Sequence, residues 1–161
     1  MKLNKCIVIP DSFKGTMSSS DICAMAREAI GTFFPGCQVD AIPVADGGEG
    51  SVEAFLTAMG GERKELEVRG PFGEEMTGFY GLVEGGRTAI IEMAACAGLP
   101  LAEGRLNPER ATTYGVGQLM VDAARSGCGK IILGLGGSCT NDGGVGAAAA
   151  LGAKFTRQDG T

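Results

Sequence analysis

The chain has 161 residues, 44% of them hydrophobic and 20% charged, with a formal net charge of −5 and no histidine. That balance excludes an intrinsically disordered chain and suits a globular protein with a real core. The lack of histidine excludes a Ser–His triad, histidine-ligated zinc and histidine acid–base chemistry, so catalysis here must use carboxylates, lysine, hydroxyls and backbone amides.

Residues 6–9 form a short apolar run stopped by Pro10 and read as a buried strand. Beyond the loop DSFKGTM, Ile22, Met25, Ala26, Ala29 and Phe33 recur at helical spacing. Ser18 with Asp21 three residues on makes a capping-box pattern, so a helix starts near Ser18 and stops at Pro35 and Gly36. Residues 38–44 read as a second strand, and Val52, Phe55, Leu56 and Met59 as a second helix closed by Gly60 and Gly61. Strand–helix–strand–helix is the pattern of an α/β layer.

The style then changes. Residues 66–68, 79–83 and 88–93 alternate or run apolar between GPFG and EGG turns, which predicts short antiparallel strands, a flap or a bridge to a second lobe. After the irregular GLPLAEGRLNPER, Thr112 or Thr113 is placed to cap a helix carrying Val116, Leu119, Met120 and Ala123 and ended by Gly127. Residues 131–135 are a strand, followed by a polar glycine loop and a small-residue helix in VGAAAALG. Residues 154–157 predict a last strand before the turn dipeptide Asp159-Gly160. With no return strand after it, that turn reads as part of a longer protein.

Several functions drop out on composition. Nine aromatics and no long basic run argue against a nucleic-acid surface. The apolar core of MKLNKCIVIPDS is too short for a signal peptide or membrane span, so the expected location is cytoplasmic, without a membrane partner. The six cysteines contain no CxxC pair and read as buried free thiols in a reducing compartment.

Three glycine-rich loops, DSFKGTMSSS, ADGGEGS and GGSCTNDGG, each follow a strand and precede a helix. In open α/β sheets such loops lie at the carboxyl edge where ligands bind, and helix N-termini there present amides to anions. The first loop carries Asp11, Ser12 and Lys14; the second Asp46, Gly47, Gly48 and Glu49; the third Gly136, Gly137, Ser138, Thr140, Asn141 and Asp142. Lys14 is either a surface lysine or a point charge on a transferring phosphoryl group. Asp46 and Glu49 are either helix-dipole partners or a base and a metal ligand. Asp142 is either a helix cap or a group that holds Mg²⁺ or a hydroxyl. The third loop has neither P-loop nor dinucleotide-fingerprint spacing, which leaves a dinucleotide-dependent oxidoreductase without its motif.

PDSFKGTMSS, PVADGGEGS, RGPFG, IEMAACAGL, NPERATTYGVG and LGLGGSCTNDGGVGAAAALGA together resemble the bacterial glycerate kinase family, type 1. The motifs run in family order over nearly the whole chain, with Cys139 where the family more often has alanine. Family members are about twice as long, so the resemblance makes this chain the N-terminal portion. It implies a glycerate-kinase type α/β fold: a Rossmann-like parallel-sheet lobe over residues 1–95, including the antiparallel strands, and the start of a second α/β lobe over 96–161.

The implied activity is ATP-dependent phosphorylation of D-glycerate, on its 2- or 3-hydroxyl, with ATP and Mg²⁺ as cofactors and the homo-oligomeric state left open. Within that activity Asp46 orients or deprotonates the attacking hydroxyl and Lys14 neutralises phosphate or the glycerate carboxylate. Asp142 holds the metal. Asp11, Ser12, Gly47, Gly48, Glu49, Gly136, Gly137, Ser138, Thr140 and Asn141 bind substrate or phosphate. The rival reading is a non-catalytic fragment that binds at most an anion or another protein.

Overall fold

The computed structural model describes residues 2–157 and 160, and has a mixed α/β fold. The chain divides into two compact units, Met1–Asp46 and Gly47–Thr161.

In the first unit, β1 (Lys5–Val8) and β2 (Gln38–Ala41) pair in parallel, Cys6 beside Val39 and Val8 beside Ala41. Parallel neighbours need a long crossover, and α1 (Ser19–Phe33) supplies it. The capping box forms as expected. Asp21 N donates to Ser18 Oγ at 3.1 Å, and Ser18 N donates to Asp21 Oδ2 at 3.3 Å. β2 ends short of the expected residue 44: Ile42 N still donates to Val8 O at 2.9 Å, but Pro10 closes β1 and offers no further partner.

In the second unit one sheet has the order β3 (Glu62–Arg69), β4 (Glu75–Val83), β5 (Thr88–Glu92), β6 (Lys130–Gly134). β3, β4 and β5 are antiparallel, as expected, and β5 runs parallel to β6. The antiparallel stretch is neither flap nor bridge but the centre of this core. All five residues of β5 are buried.

Its two faces serve two helices. Ala89 and Ile91 pack with Val68, Tyr80, Val116, Leu119 and Ala123, the last three from α4 (Tyr114–Arg125). Ile90 packs with Val83 and with Val52 of α2 (Ser51–Met59). A strand covered on both faces reads as a continuous apolar run, which is why TAIIE lacks alternation. Tyr80 Oη and Lys64 Nζ each donate to Asp122 Oδ2 at 2.7 Å, fastening α4 to β4 and β3.

Between β5 and α4 lie a short helix α3 (Ala94–Ala97) and a 3₁₀ turn over Leu99–Ala102, neither signalled by periodicity. After β6 comes α5 (Val145–Ala150). The strand expected at 154–157 does not form: those residues are exposed and pair with no strand edge. The turn placed at Asp159 falls outside the described residues. All six cysteines are free, and burial pushes the Cys96 thiol up to about 12. Among the described residues no helix is long and apolar enough to cross a membrane.

Candidate functional site

In the first unit the chain leaving β1 folds into a tight loop in which Phe13 and Met17 exchange amide-to-carbonyl bonds at 3.0 Å each way. Gly15, at φ +75°, makes that reversal, and Lys14 sits at its tip. Asp11 Oδ1 accepts Ser12 N at 2.7 Å, fixing the loop entrance. Lys14 Nζ lies 3.6 Å from Asp46 Oδ2, with 71% and 53% of the two side chains exposed. The two residues read as catalytic are therefore neighbours, from loops that follow β1 and β2. Ser19 joins the same two loops: its hydroxyl donates to Pro10 O at 2.7 Å and accepts Val44 N at 3.0 Å.

In the second unit the glycines of the other two loops meet. Gly136 N donates to Gly47 O at 2.9 Å. A Cβ on Gly136 would stand 2.7 Å from Gly48 N, closer than side chains approach backbone, so glycine is required there for loop-on-loop packing. Gly137, at φ +69°, hands its carbonyl to Leu99 N at 2.8 Å, and Cys139 N donates to Ala97 O at 2.9 Å. The loop is thus stitched to the segment after α3. Ser138 and Thr140 face one another, Oγ to Oγ1, at 2.7 Å, and Asn141 is exposed beside them.

Glu49 borders a cavity of about 540 Å³ shared with Arg63, Glu65, Thr77, Phe79 and Glu92. Arg63 is engaged on two sides there, 2.9 Å from Glu65 Oε1 and 3.6 Å from the centre of the Phe79 ring.

The helix N-termini differ from the expectation of amides presented to a ligand. At α2, Gly50 N and Val52 N donate to the Glu92 carboxylate at 3.4 and 2.9 Å, and Ser51 N donates to Gly48 O at 3.2 Å. Glu92 is only 2% exposed, and burial pushes its carboxyl up against the opposing pull of the Val52 and Gly50 amides, with the Glu49 charge adding to the rise. At α5, Asp142 accepts Gly144 N at 3.0 Å and Gly146 N at 3.1 Å. α1 is capped by Ser18. Each of the three helices after a glycine loop carries a cap from the chain itself.

Asp142 does more than cap α5. It also accepts Thr113 N at 2.8 Å and the Thr113 hydroxyl at 2.9 Å, so it clamps the starts of α4 and α5 together. Burial works to raise its pKa, but the Thr113 amide and hydroxyl with the Gly144 and Gly146 amides outweigh it and hold the carboxyl below the usual range. Such a shell of N–H and O–H donors suits a carboxylate anchor and not a cation ligand, because the donor hydrogens point where a metal would sit. Thr113 in turn does not cap its own helix: its hydroxyl accepts Ala147 N of α5 at 2.9 Å.

Sequence reasoning missed Glu92, Ser19 and the part Thr113 plays. Glu92 left one trace, a carboxylate directly after the apolar run Ala89-Ile90-Ile91.

Residues 6–161 match the family described as the Glycerate kinase family. The chain is 44% identical to the "Glycerate 2-kinase" of Escherichia coli (strain K12) over 158 residues, 97% of this chain and 41% of that protein. It is 42% identical to the "Glycerate kinase" of Bacillus subtilis (strain 168) over 158 residues, 98% of this chain and 41% of that protein. A crystal structure of a protein described as a glycerate kinase 2 of Salmonella typhimurium LT2 superposes with a TM-score of 0.81 at 38% identity, over 99% of this chain and 43% of that one. The chain therefore spans about two fifths of the length of the relatives it matches.

Proposed function

The chain belongs to the glycerate kinase family, and from that premise we propose that it is the portion of an ATP-dependent D-glycerate kinase that activates the acceptor hydroxyl. The observation that carries this reading is the 3.6 Å approach of Lys14 Nζ to Asp46 Oδ2 on exposed loops beyond the strand ends.

Phosphoryl transfer asks the protein mainly for positioning and charge neutralisation. Asp46 accepts a hydrogen bond from the glycerate hydroxyl and takes its proton as that oxygen bonds to the γ-phosphorus and the bond to the leaving ADP oxygen breaks. The Lys14 ammonium neutralises the transferring phosphoryl group or the glycerate carboxylate. Asp11 and Ser12 shape the loop that carries Lys14. Taken by itself, the second unit offers Gly47, Gly48, Glu49, Gly136 and Gly137, with Ser138, Thr140 and Asn141, as the candidate substrate- or phosphate-binding residues of its own loops. Magnesium accompanies the nucleotide in such reactions and neutralises phosphate charge. No step through it follows at Asp142, whose oxygens are committed to donors.

A chimera tests the proposal: this chain in place of the matched stretch of the Escherichia coli enzyme. It should phosphorylate D-glycerate from Mg-ATP, while the 161-residue chain alone stays far below the roughly 1–100 per second usual for kinases. A folded but inactive chimera removes the activity from this chain. Turnover by the isolated, monodisperse chain at kinase rates removes the claim that it is a portion.

A further inference from the structure

The glycine loops of the second unit bring negative charge and no positive charge. Residues 47–51 and 136–144 contain Glu49 and Asp142 but no lysine or arginine. Glu92 adds a third carboxylate at the start of α2. Amides at the starts of α2 and α5 already bond to Glu92 and Asp142. Like charges repel, so an anionic ligand at these loops needs a cation from elsewhere in the unit.

The segment between the 3₁₀ turn and α4 holds one. It is strung between two ties to the third glycine loop. At its head Leu99 N donates to Gly137 O at 2.8 Å, and at its tail Thr113 N donates to Asp142 Oδ2 at 2.8 Å. Between those ties Phe72, Gly104, Arg105, Leu106, Asn107 and Arg110 line a cavity of about 490 Å³. The two arginines differ. Arg105 Nη2 donates to Glu74 Oε1 at 2.8 Å and to Leu101 O at 3.3 Å, with its guanidinium 4.7 Å from the centre of the Phe72 ring. Its charge is balanced and its plane is fixed. The same Glu74 lies within electrostatic reach of the third loop: burial pushes the Cys139 thiol up, and the Glu74 charge adds to the rise.

Arg110 forms no ion pair among the described residues. Asn107 O accepts Arg110 N at 3.2 Å, a single turn that brings the Asn107 amide and the Arg110 guanidinium to the same cavity. A free planar fork beside a side-chain amide, in a cavity that admits a small organic molecule, suits a carboxylate or a phosphate.

We propose that Arg110 and Asn107, backed by Arg105, form an oxyanion-binding pocket that supplies the positive charge missing from the glycine loops. It takes a carboxylate or phosphate group of the ligand those loops contact. The inference deepens the kinase reading given above and rests on it for the identity of that ligand, D-glycerate or the nucleotide.

The pocket lies wholly in the second unit, so the 161-residue chain itself serves for the test. The isotope-labelled chain is titrated at low salt with D-glycerate, inorganic phosphate and ADP, each alone, and followed by NMR. Signals of residues 104–110 should move saturably, and those of residues 84–88, before and at the start of β5, should stay. Arg110→Met should weaken binding by about tenfold or more. Arg110→Lys should weaken it less, because it keeps the charge and loses the fork. Arg87→Met removes the same charge from an exposed position before β5 and should leave binding in place. Arg110 is exposed and unpaired, so its substitution should leave the melting temperature of the chain unchanged.

A response to D-glycerate alone assigns the pocket to the substrate carboxylate, and a response to phosphate or ADP alone assigns it to the nucleotide. A response to all three keeps it as a pocket for either oxyanion. No saturable shift at residues 104–110 with any probe overturns the proposal, as does binding that Arg110→Met weakens no more than Arg87→Met. The activity reading fails separately: binding through Arg110, in a chimera that transfers no phosphate, keeps the pocket and removes the function. An active chimera in which Arg110→Met changes the KM of neither D-glycerate nor Mg-ATP keeps the function and removes the pocket.

Discussion

The carboxylate of Glu92, the last residue of β5, accepts the amide of Val52 at 2.9 Å, so a strand of the central sheet caps the helix that follows the ADGGEGS loop. An acidic side chain occupies the position that a bound anion takes at many helix N-termini. The loop is held from behind, by its own chain.

That relationship has a pH signature. Burial raises the Glu92 pKa above its ordinary value of 4.5. A raised folded pKa gives stability that is fully present below 4.5 and is lost as pH climbs through the folded value. In urea melts, the advantage of the parent chain over Glu92→Gln should therefore shrink between pH 4.5 and neutrality. Growth of that advantage with pH would contradict the assigned direction.

Asp142 has the opposite sign. Its folded pKa is lowered from 3.8, so its contribution is present above that value and is lost as pH falls through the depressed one. Asp142→Asn should cost about 1–3 kcal/mol at neutral pH, the range for losing charge-assisted bonds, and less in acid. In a double-mutant cycle with Thr113→Val the two losses should fall short of additive. Independent effects would show that the clamp between α4 and α5 does not act as a unit.

Gly136 and Gly137 should fail in different ways. Gly136→Ala drives a Cβ to 2.7 Å from Gly48 N, a backbone clash expected to cost about 1–3 kcal/mol in thermal or urea melts. At Gly137 the nearest atoms are 3.6 Å or more away, and only the left-handed backbone at φ +69° opposes a side chain, at about 1–2 kcal/mol. In the chimera, Gly137→Val should weaken the thermal stabilisation given by Mg-ATP. A folded variant with undiminished stabilisation moves the phosphate contacts away from this loop.

Lys14 and Asp46 are exposed, and a surface pair contributes little to stability. Asp46→Asn in the chimera should lower turnover by roughly 10²–10⁴ with the melting temperature unchanged. Lys14→Met should likewise act on rate rather than on folding. Loss of stability with turnover intact would make the pair an ordinary surface contact.

What the sequence disclosed was mostly local. The capping box of Ser18 and Asp21 spans three residues and forms as read. Apolar or alternating runs located the six strands found among the described residues, and glycine clusters located the loops after β1, β2 and β6. The partnerships between distant residues stayed hidden. Glu92 and Val52 lie 40 positions apart and Asp142 and Thr113 lie 29 apart, and no spacing rule joins them. The glycines of the third loop signalled close approach, but only the fold shows that another glycine loop is what approaches Gly136. Residues 154–157 carried strand propensity without a partner edge, and propensity alone does not make a sheet.

Ser19 sets the character of the first unit. Because a single hydroxyl both gives to Pro10 and receives from Val44, the backbones leaving β1 and β2 share one anchor and lack independent freedom. Lys14 and Asp46 lie 3.6 Å apart on the two loops that this anchor joins, and Lys14 is 71% exposed. In the proposed activity, ligand contact at Lys14 would then come by choice of rotamer, on the picosecond-to-nanosecond scale of exposed side chains. In the proposed activity, selectivity would then reside in what the long Lys14 and the short Asp46 reach from loops that share one mount.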